Sequence, residues 1–243
     1  MDSRLGCAAV TAAGLLAGVL GQRWARSDNA GQQHRGGRRR RKARDPLAQR
    51  DNAFFWAAFR SAMGAAGHAF PAGARASDVF DFRHNEDFRS TRDTGQVLRR
   101  GGEVYELPYG YQRFAVGVKG KYDSGNNTWL RNSGGSGEWA VAYHGTQHCN
   151  LPGILSGGFQ VGPRQAYANE VGRGVYVTPH IRTAEMYTSV TNLNHNGEQK
   201  NVRIILQCRV RPSAIRKTTD SRGYWVINDP ADVRPYGVLM KEG

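Results

Sequence analysis

Ten consecutive residues, N-V-R-I-I-L-Q-C-R-V at 201–210, hold two valines and two isoleucines and neither glycine nor proline. Branched side chains suit a pleated surface, and a strand open to water on one face would alternate more strictly. The run therefore reads as a largely buried strand, which needs neighbours on both edges. The rest of the second half supplies them in short pieces. E-W-A-V-A-Y-H (138–144), G-V-Y-V-T (174–178), Y-W-V-I (224–227) and Y-G-V-L-M (236–240) are apolar or aromatic runs of strand length. V-Y-E-L-P-Y-G-Y-Q-R-F-A-V-G-V-K-G-K-Y (104–122) has the same grammar, punctuated by glycine. The 31 glycines among 243 residues favour turns and short strands over long helices. Helical spacing marks 149–158, with Leu151, Ile154 and Leu155 on one face and Gly157-Gly158 ending it, and a second segment at 182–190. The expected class is α+β, strand-rich and mostly antiparallel, with short helices.

The first hundred residues are built differently. Residues 1–26 contain an apolar run, Leu5 to Gly21, 17 residues long. That falls short of the roughly 20 residues a membrane span needs, and reads as a signal or anchor, an organelle transit segment, or a helix of no targeting value. Residues 27–50 are polar and basic, cannot bury enough surface to fold alone, and read as a disordered linker. The first 50 residues carry a net +8 of the chain's +14. R-R-R-R-K at 38–42 fits a nuclear signal, a patch for nucleic acid or anionic membrane, a processing site, or a solvated linker. The nuclear and secretory addresses exclude each other. Residues 51–100 form an extension. Asp51 or Asn52 is a candidate N-cap for a helix over 52–66, whose Phe55, Phe59 and Met63 share a stripe that docks on the following domain. Residues 78–96 read as irregular or helical. Of the cysteines Cys7, Cys149 and Cys208, none has zinc-site spacing; Cys149 and Cys208 are read as small buried hydrophobes, with a bridge between them as the alternative.

The chemistry gathers in two short stretches. Y-H-G-T at 143–146 ends an apolar strand in His144, followed by Gly145, whose bare backbone can be approached closely, and by the Thr146 hydroxyl. G-R-G-V-Y-V-T-P at 172–179 brings Gly172, Gly174 and the Tyr176 ring, and Tyr187 follows eleven residues later. Aromatic faces with backbone N–H and C=O groups suit a planar, amide-bearing ring. His148 is expected at the surface, His180 in a loop and His195 in a turn; none has metal-ligand spacing, and no metal is expected. Arg164 and Arg173 border the glycine-rich stretch as solvated charges or as contacts for a pyrophosphate.

Four elements in order, Y-H-G-T (143–146), G-I-L-S-G-G-F (153–159), G-R-G-V-Y-V-T-P (172–179) and T-A-E-M-Y (183–187), resemble the ADP-ribosyltransferase fold of poly(ADP-ribose) polymerases and diphtheria-type toxins. The resemblance covers about residues 101–243 and implies a split, mostly antiparallel two-sheet core. It implies an NAD co-substrate, with His144 on the adenine-side ribose supported by Thr146, and Gly145 holding the nicotinamide carboxamide through its backbone. Tyr176 and Tyr187 would sandwich the nicotinamide ring, and Thr183 or Ala184 stands where the family has a carboxamide-binding serine. The family's third catalytic position, a glutamate opening a late strand, falls on Tyr224 or on Gly223 beside it. Without that carboxylate the resemblance implies a monomeric mono-ADP-ribosyltransferase acting on a protein or nucleic-acid acceptor rather than a polymerase. The alternatives are a catalytically weak relative that binds NAD or ADP-ribosylated partners, and a basic RNA-binding module.

Overall fold

The computed structural model describes residues 46–163 and 165–243 apart from 66–72. The readings made for residues 1–45, for Arg164 and for the Met63 side chain lie outside the described residues. The chain is α+β and mostly antiparallel. Its long central strand, β8 (Glu198–Val210), is the apolar run of the sequence extended by three residues. One edge of β8 pairs with β11 (Val233–Glu242), which pairs in turn with β4 (Gln112–Ala115) and then β1 (Glu86–Asp87). The other edge is shared. β5 (Ala140–Gly145) covers residues 205–210, and β7 (Val190–His195) covers 198–203.

From Ile204 to Val210 β8 is buried on both faces, by different chemistry. Val202, Ile204, Leu206, Cys208 and Val210 point into the main apolar core. On the opposite face Gln207 and Arg209 are also buried: Gln207 Nε2 donates to the Tyr105 hydroxyl at 3.1 Å, and the two terminal nitrogens of Arg209 donate to the Trp139, Leu130 and Arg131 carbonyls. A buried polar group without such partners would cost about 1–3 kcal/mol. Cys208 is a free, buried thiol, as its place among hydrophobes leads one to expect.

The helix α1 (Pro46–Ala65) docks through its phenylalanines. Phe55 stacks on Phe114 of β4 at 3.8 Å, with Phe59 and Phe80 completing the cluster. It begins at Pro46, earlier than the sequence suggests and inside the stretch read as linker. Proline suits a first helical turn. Asp51 and Asn52 lie within the helix and serve tertiary contacts instead: Arg89 and Gln112 donate to Asp51, and Asn85 donates to Asn52.

A second, three-stranded sheet joins β6 (Val175–Val177), β10 (Trp225–Ile227) and β9 (Arg216–Lys217). It is linked to the large sheet by a pair of backbone hydrogen bonds between Tyr143 and Thr178. A short hairpin, β2 (Leu98–Arg100) with β3 (Glu103–Tyr105), lies beside β5. Of the strand-like stretch 104–122, only the end of β3 and β4 are strand. The remaining helices are α2 (Leu151–Gly157), α3 (Ala168–Val171) and α4 (Ile181–Glu185). The helix expected over 182–190 is therefore five residues long. Val190 instead opens β7, because Val190 and Thr191 suit a strand and Asn196-Gly197 turns it back onto β8. His195 consequently ends a strand rather than sitting in the turn.

Candidate functional site

The central strand changes partner at one point. β5 pairs with it as far as Gly145 opposite Ile205, and β7 takes over at Val190 opposite Arg203. α4 and the turn after it occupy that notch. A Cβ built on Gly145 would lie 2.0 Å from the Ala184 carbonyl oxygen and 2.9 Å from Tyr187 Cβ, so only glycine lets helix and strand meet here. Gly174 has a comparable reason, since its Cβ would lie 2.4 Å from the Ile227 carbonyl oxygen. The glycines that sequence reading set aside for a ligand thus bring the two sheets and α4 together, and the aromatic cluster forms as a result.

His144 is the penultimate residue of β5, and its Nδ1 lies 2.8 Å from the Tyr176 carbonyl oxygen, which ties the imidazole to the neighbouring sheet. Phe159 meets the ring edge-on at 4.9 Å. Burial lowers the pKa of His144 from its ordinary 6.5, and the hydrogen bond to Tyr176 opposes this only in part. With Nδ1–H donating to that carbonyl, the neutral ring keeps Nε2 as an acceptor. The Thr146 hydroxyl accepts from Asn150 at 3.0 Å, next to α2.

Tyr176 and Tyr187 meet through a third ring. Tyr224 lies 6.5 Å from Tyr176 and 6.0 Å from Tyr187, both in edge-on arrangements, and its hydroxyl is hydrogen-bonded to that of Tyr187. Tyr224 is buried while Tyr187 is 46% exposed, so the group opens to solvent on the Tyr187 side. Burial, and after it the bond to Tyr187, raises the pKa of Tyr224 well above 10. Tyr187 stands in the turn just past α4 rather than on a helix. Thr183 is buried and its hydroxyl donates to the Arg222 carbonyl at 3.1 Å, while Ala184 packs on Gly145.

Sequence reading missed Tyr167. Its backbone N–H donates to the Tyr176 hydroxyl at 2.8 Å, and its ring lies 6.1 Å from Tyr176 and 5.6 Å from Tyr224. Its own hydroxyl bonds Asp220 at 2.5 Å, and Arg222 reaches both partners, with its guanidinium 5.2 Å from the centre of the Tyr224 ring. Hydrogen bonds from Arg222 and Tyr167 hold the Asp220 carboxyl well below the usual carboxylate range. No periodicity or motif marks residues 165–171, so nothing local could have singled Tyr167 out.

The other expected residues lie apart from the rings or are otherwise engaged. Arg173 reaches the Gly162 carbonyl. His148 is part-buried, not at the surface, because β7 passes beside it and places the Thr191 hydroxyl 3.0 Å from its Nδ1. His180 immediately precedes α4 and pairs with Glu106. Among the described residues, no three histidine, cysteine or acidic side chains are grouped to hold a metal ion.

The junction therefore offers four tyrosine rings in contact with one another, an imidazole tied to the backbone carbonyl of one of them, and an Asp220 carboxylate locked to Arg222. Such a surface can hold a flat ring by its faces and accept a hydroxyl hydrogen bond at His144. No protein family matches this chain, and no curated protein matches it.

Proposed function

We propose that the protein is a mono-ADP-ribosyltransferase that takes NAD as co-substrate and modifies a macromolecular acceptor. The observation that carries this reading is the meeting of His144, Tyr176, Tyr187 and Tyr224 at one junction, from four separate segments of the chain. These are the residues that the resemblance to ADP-ribosyltransferases selects.

In this reading His144 Nε2 accepts a ribose hydroxyl, and the tyrosine faces hold the nicotinamide ring. The bond between ribose C1′ and the nicotinamide nitrogen breaks, and its electron pair leaves with nicotinamide. The oxocarbenium-like sugar left behind is captured by the acceptor. Such a step depends on positioning and electrostatic stabilisation more than on a strong nucleophile in the protein. A tyrosine at 224 gives no carboxylate to bind and activate a ribose hydroxyl of a growing chain, which favours a single transfer.

The full-length chain incubated with adenine-labelled NAD should become labelled or transfer label, and His144→Ala should lower that labelling at least about a hundredfold. Equal labelling by both proteins would overturn the assignment of His144. A second reading, NAD binding without turnover, is favoured by the bond between the Tyr187 and Tyr224 hydroxyls, which fills the place of a catalytic carboxylate with two neutral groups. Protection by NAD against thermal unfolding, with neither nicotinamide release nor label transfer, would select it.

A further inference from the structure

The last strand of the site opens without an acidic residue, yet the space beside it holds another titratable group. Gly223 immediately precedes Tyr224 and has a positive φ of 70°. A Cβ built on it would lie 2.9 Å from His180 Cδ2 and 3.1 Å from His180 Nε2. The imidazole of His180 thus occupies the volume into which a side chain at 223 would project. His180 Nδ1 is 3.3 Å from the Glu106 carboxylate. When Nδ1–H donates to that carboxylate, Nε2, the nitrogen nearer Gly223, keeps its lone pair.

Both members are anchored where the two sheets join. The Glu106 carbonyl accepts from the Tyr143 hydroxyl, and the His180 backbone N–H donates to the Thr178 hydroxyl at 3.2 Å. Tyr143 and Thr178 are themselves the bridging pair. The His180 side chain makes no capping bond to α4, so Glu106 sets its orientation. The side chains are 54% and 38% exposed, which leaves the imidazole open to a partner arriving from solvent. The turn that carries Gly223 also holds Asp220 and Arg222, which neutralise each other, and α4 adds the exposed Arg182.

We infer that His180, oriented by Glu106, is the general base toward the acceptor, and that the acceptor is a side-chain hydroxyl. This rests on the transferase reading above. The hydroxyl oxygen forms its bond to ribose C1′ as the bond to nicotinamide breaks, the leaving nicotinamide takes that electron pair, and the hydroxyl proton passes to His180 Nε2. A carboxylate acceptor would have no proton to lose and would need no base. An exposed His–Glu pair contributes little to stability, so substitution spares the fold.

The test uses full-length protein with labelled NAD, reading the rate of self-labelling, the thermal shift produced by NAD, and release of label by neutral hydroxylamine. That reagent cleaves esters formed on carboxylates and leaves glycosides of hydroxyls intact. His180→Gln should lower labelling on the order of a hundredfold, with the NAD shift unchanged. Glu106→Gln should lower labelling on the order of tenfold, since the base stays but loses its orientation. The label should resist hydroxylamine. Labelling by His180→Gln at the wild-type rate, loss of labelling together with the NAD shift, or release by hydroxylamine would each overturn the role of His180 and leave the transferase reading standing. Wild-type protein that neither labels nor consumes NAD would overturn both.

Discussion

Two aromatic clusters stand in this molecule and are built for opposite ends. Phe55, Phe59, Phe80 and Phe114 are each at most 3% exposed and meet face-on and edge-on between α1 and β4. None of these side chains carries a polar atom, so the cluster can do nothing but exclude water. Tyr167, Tyr176, Tyr187 and Tyr224 make a similar number of ring contacts, but every hydroxyl has a polar partner: a backbone amide, a carboxylate or another hydroxyl. Exposure there runs from 4% at Tyr224 to 46% at Tyr187. Ring count alone therefore does not separate core from site. Hydroxyl partners and a gradient toward solvent do, because a buried hydroxyl is costly unless it is bonded and useful where a ligand can share the bond.

The sharpest way to break the comparison is to truncate one ring of each kind. Phe55→Ala removes a fully buried ring that stacks at 3.8 Å on Phe114, and it should cost about 3–5 kcal/mol in urea unfolding. Against a typical total of roughly 5–15 kcal/mol that is severe. A loss below about 1 kcal/mol would mean that α1 is not part of the core. Tyr176→Ala should instead be seen in NAD binding, weakening it by about 1–3 kcal/mol through lost stacking. Tyr176→Phe keeps the face and leaves the Tyr167 amide without its acceptor. It should hold NAD as tightly as wild type while losing about 1 kcal/mol of stability. Equal loss of NAD affinity in the Ala and Phe variants would show that the hydroxyl, not the ring face, meets the ligand.

The same contrast explains what could be read from the residues alone. The phenylalanine stripe, the central strand and the strand that carries His144 follow from local periodicity and all three are present, the last running one residue further, to Gly145. The start of α1 did not, because Asp51 and Asn52 are claimed by Arg89, Gln112 and Asn85 from distant segments. The end of α4 was misjudged because T-S between Tyr187 and Val190 carries no glycine or proline, even though Asn196-Gly197 announced a hairpin. Within the site, His144 and Tyr176 lie in short motifs and could be named. Tyr167 and the pairing of His180 with Glu106 depend on where the second sheet meets the first, and no local pattern encodes that.

The smallest expected effect concerns proton uptake by His144, and it separates an enclosed imidazole from an open one. Burial favours the neutral ring, so the folded protein binds this proton less readily than the unfolded chain does. Between the lowered folded value and the ordinary 6.5, the unfolded state carries the extra proton. Stability is therefore full above that window, falls as pH drops through it, and levels off below it. A single proton limits the slope to about 1.4 kcal/mol per pH unit. His148, also lowered by burial, adds an effect of the same sign. Asp81, Asp123, Asp220 and Glu198, whose carboxyls are held below their ordinary values, respond only under more acidic conditions. Urea midpoints measured from about pH 7.5 down to about pH 5.5 should accordingly fall in wild type, and less steeply in His144→Gln and in His148→Gln. If His144→Gln keeps the full wild-type slope, water already reaches the imidazole, and the Phe159 ring and the Tyr176 carbonyl do not enclose it.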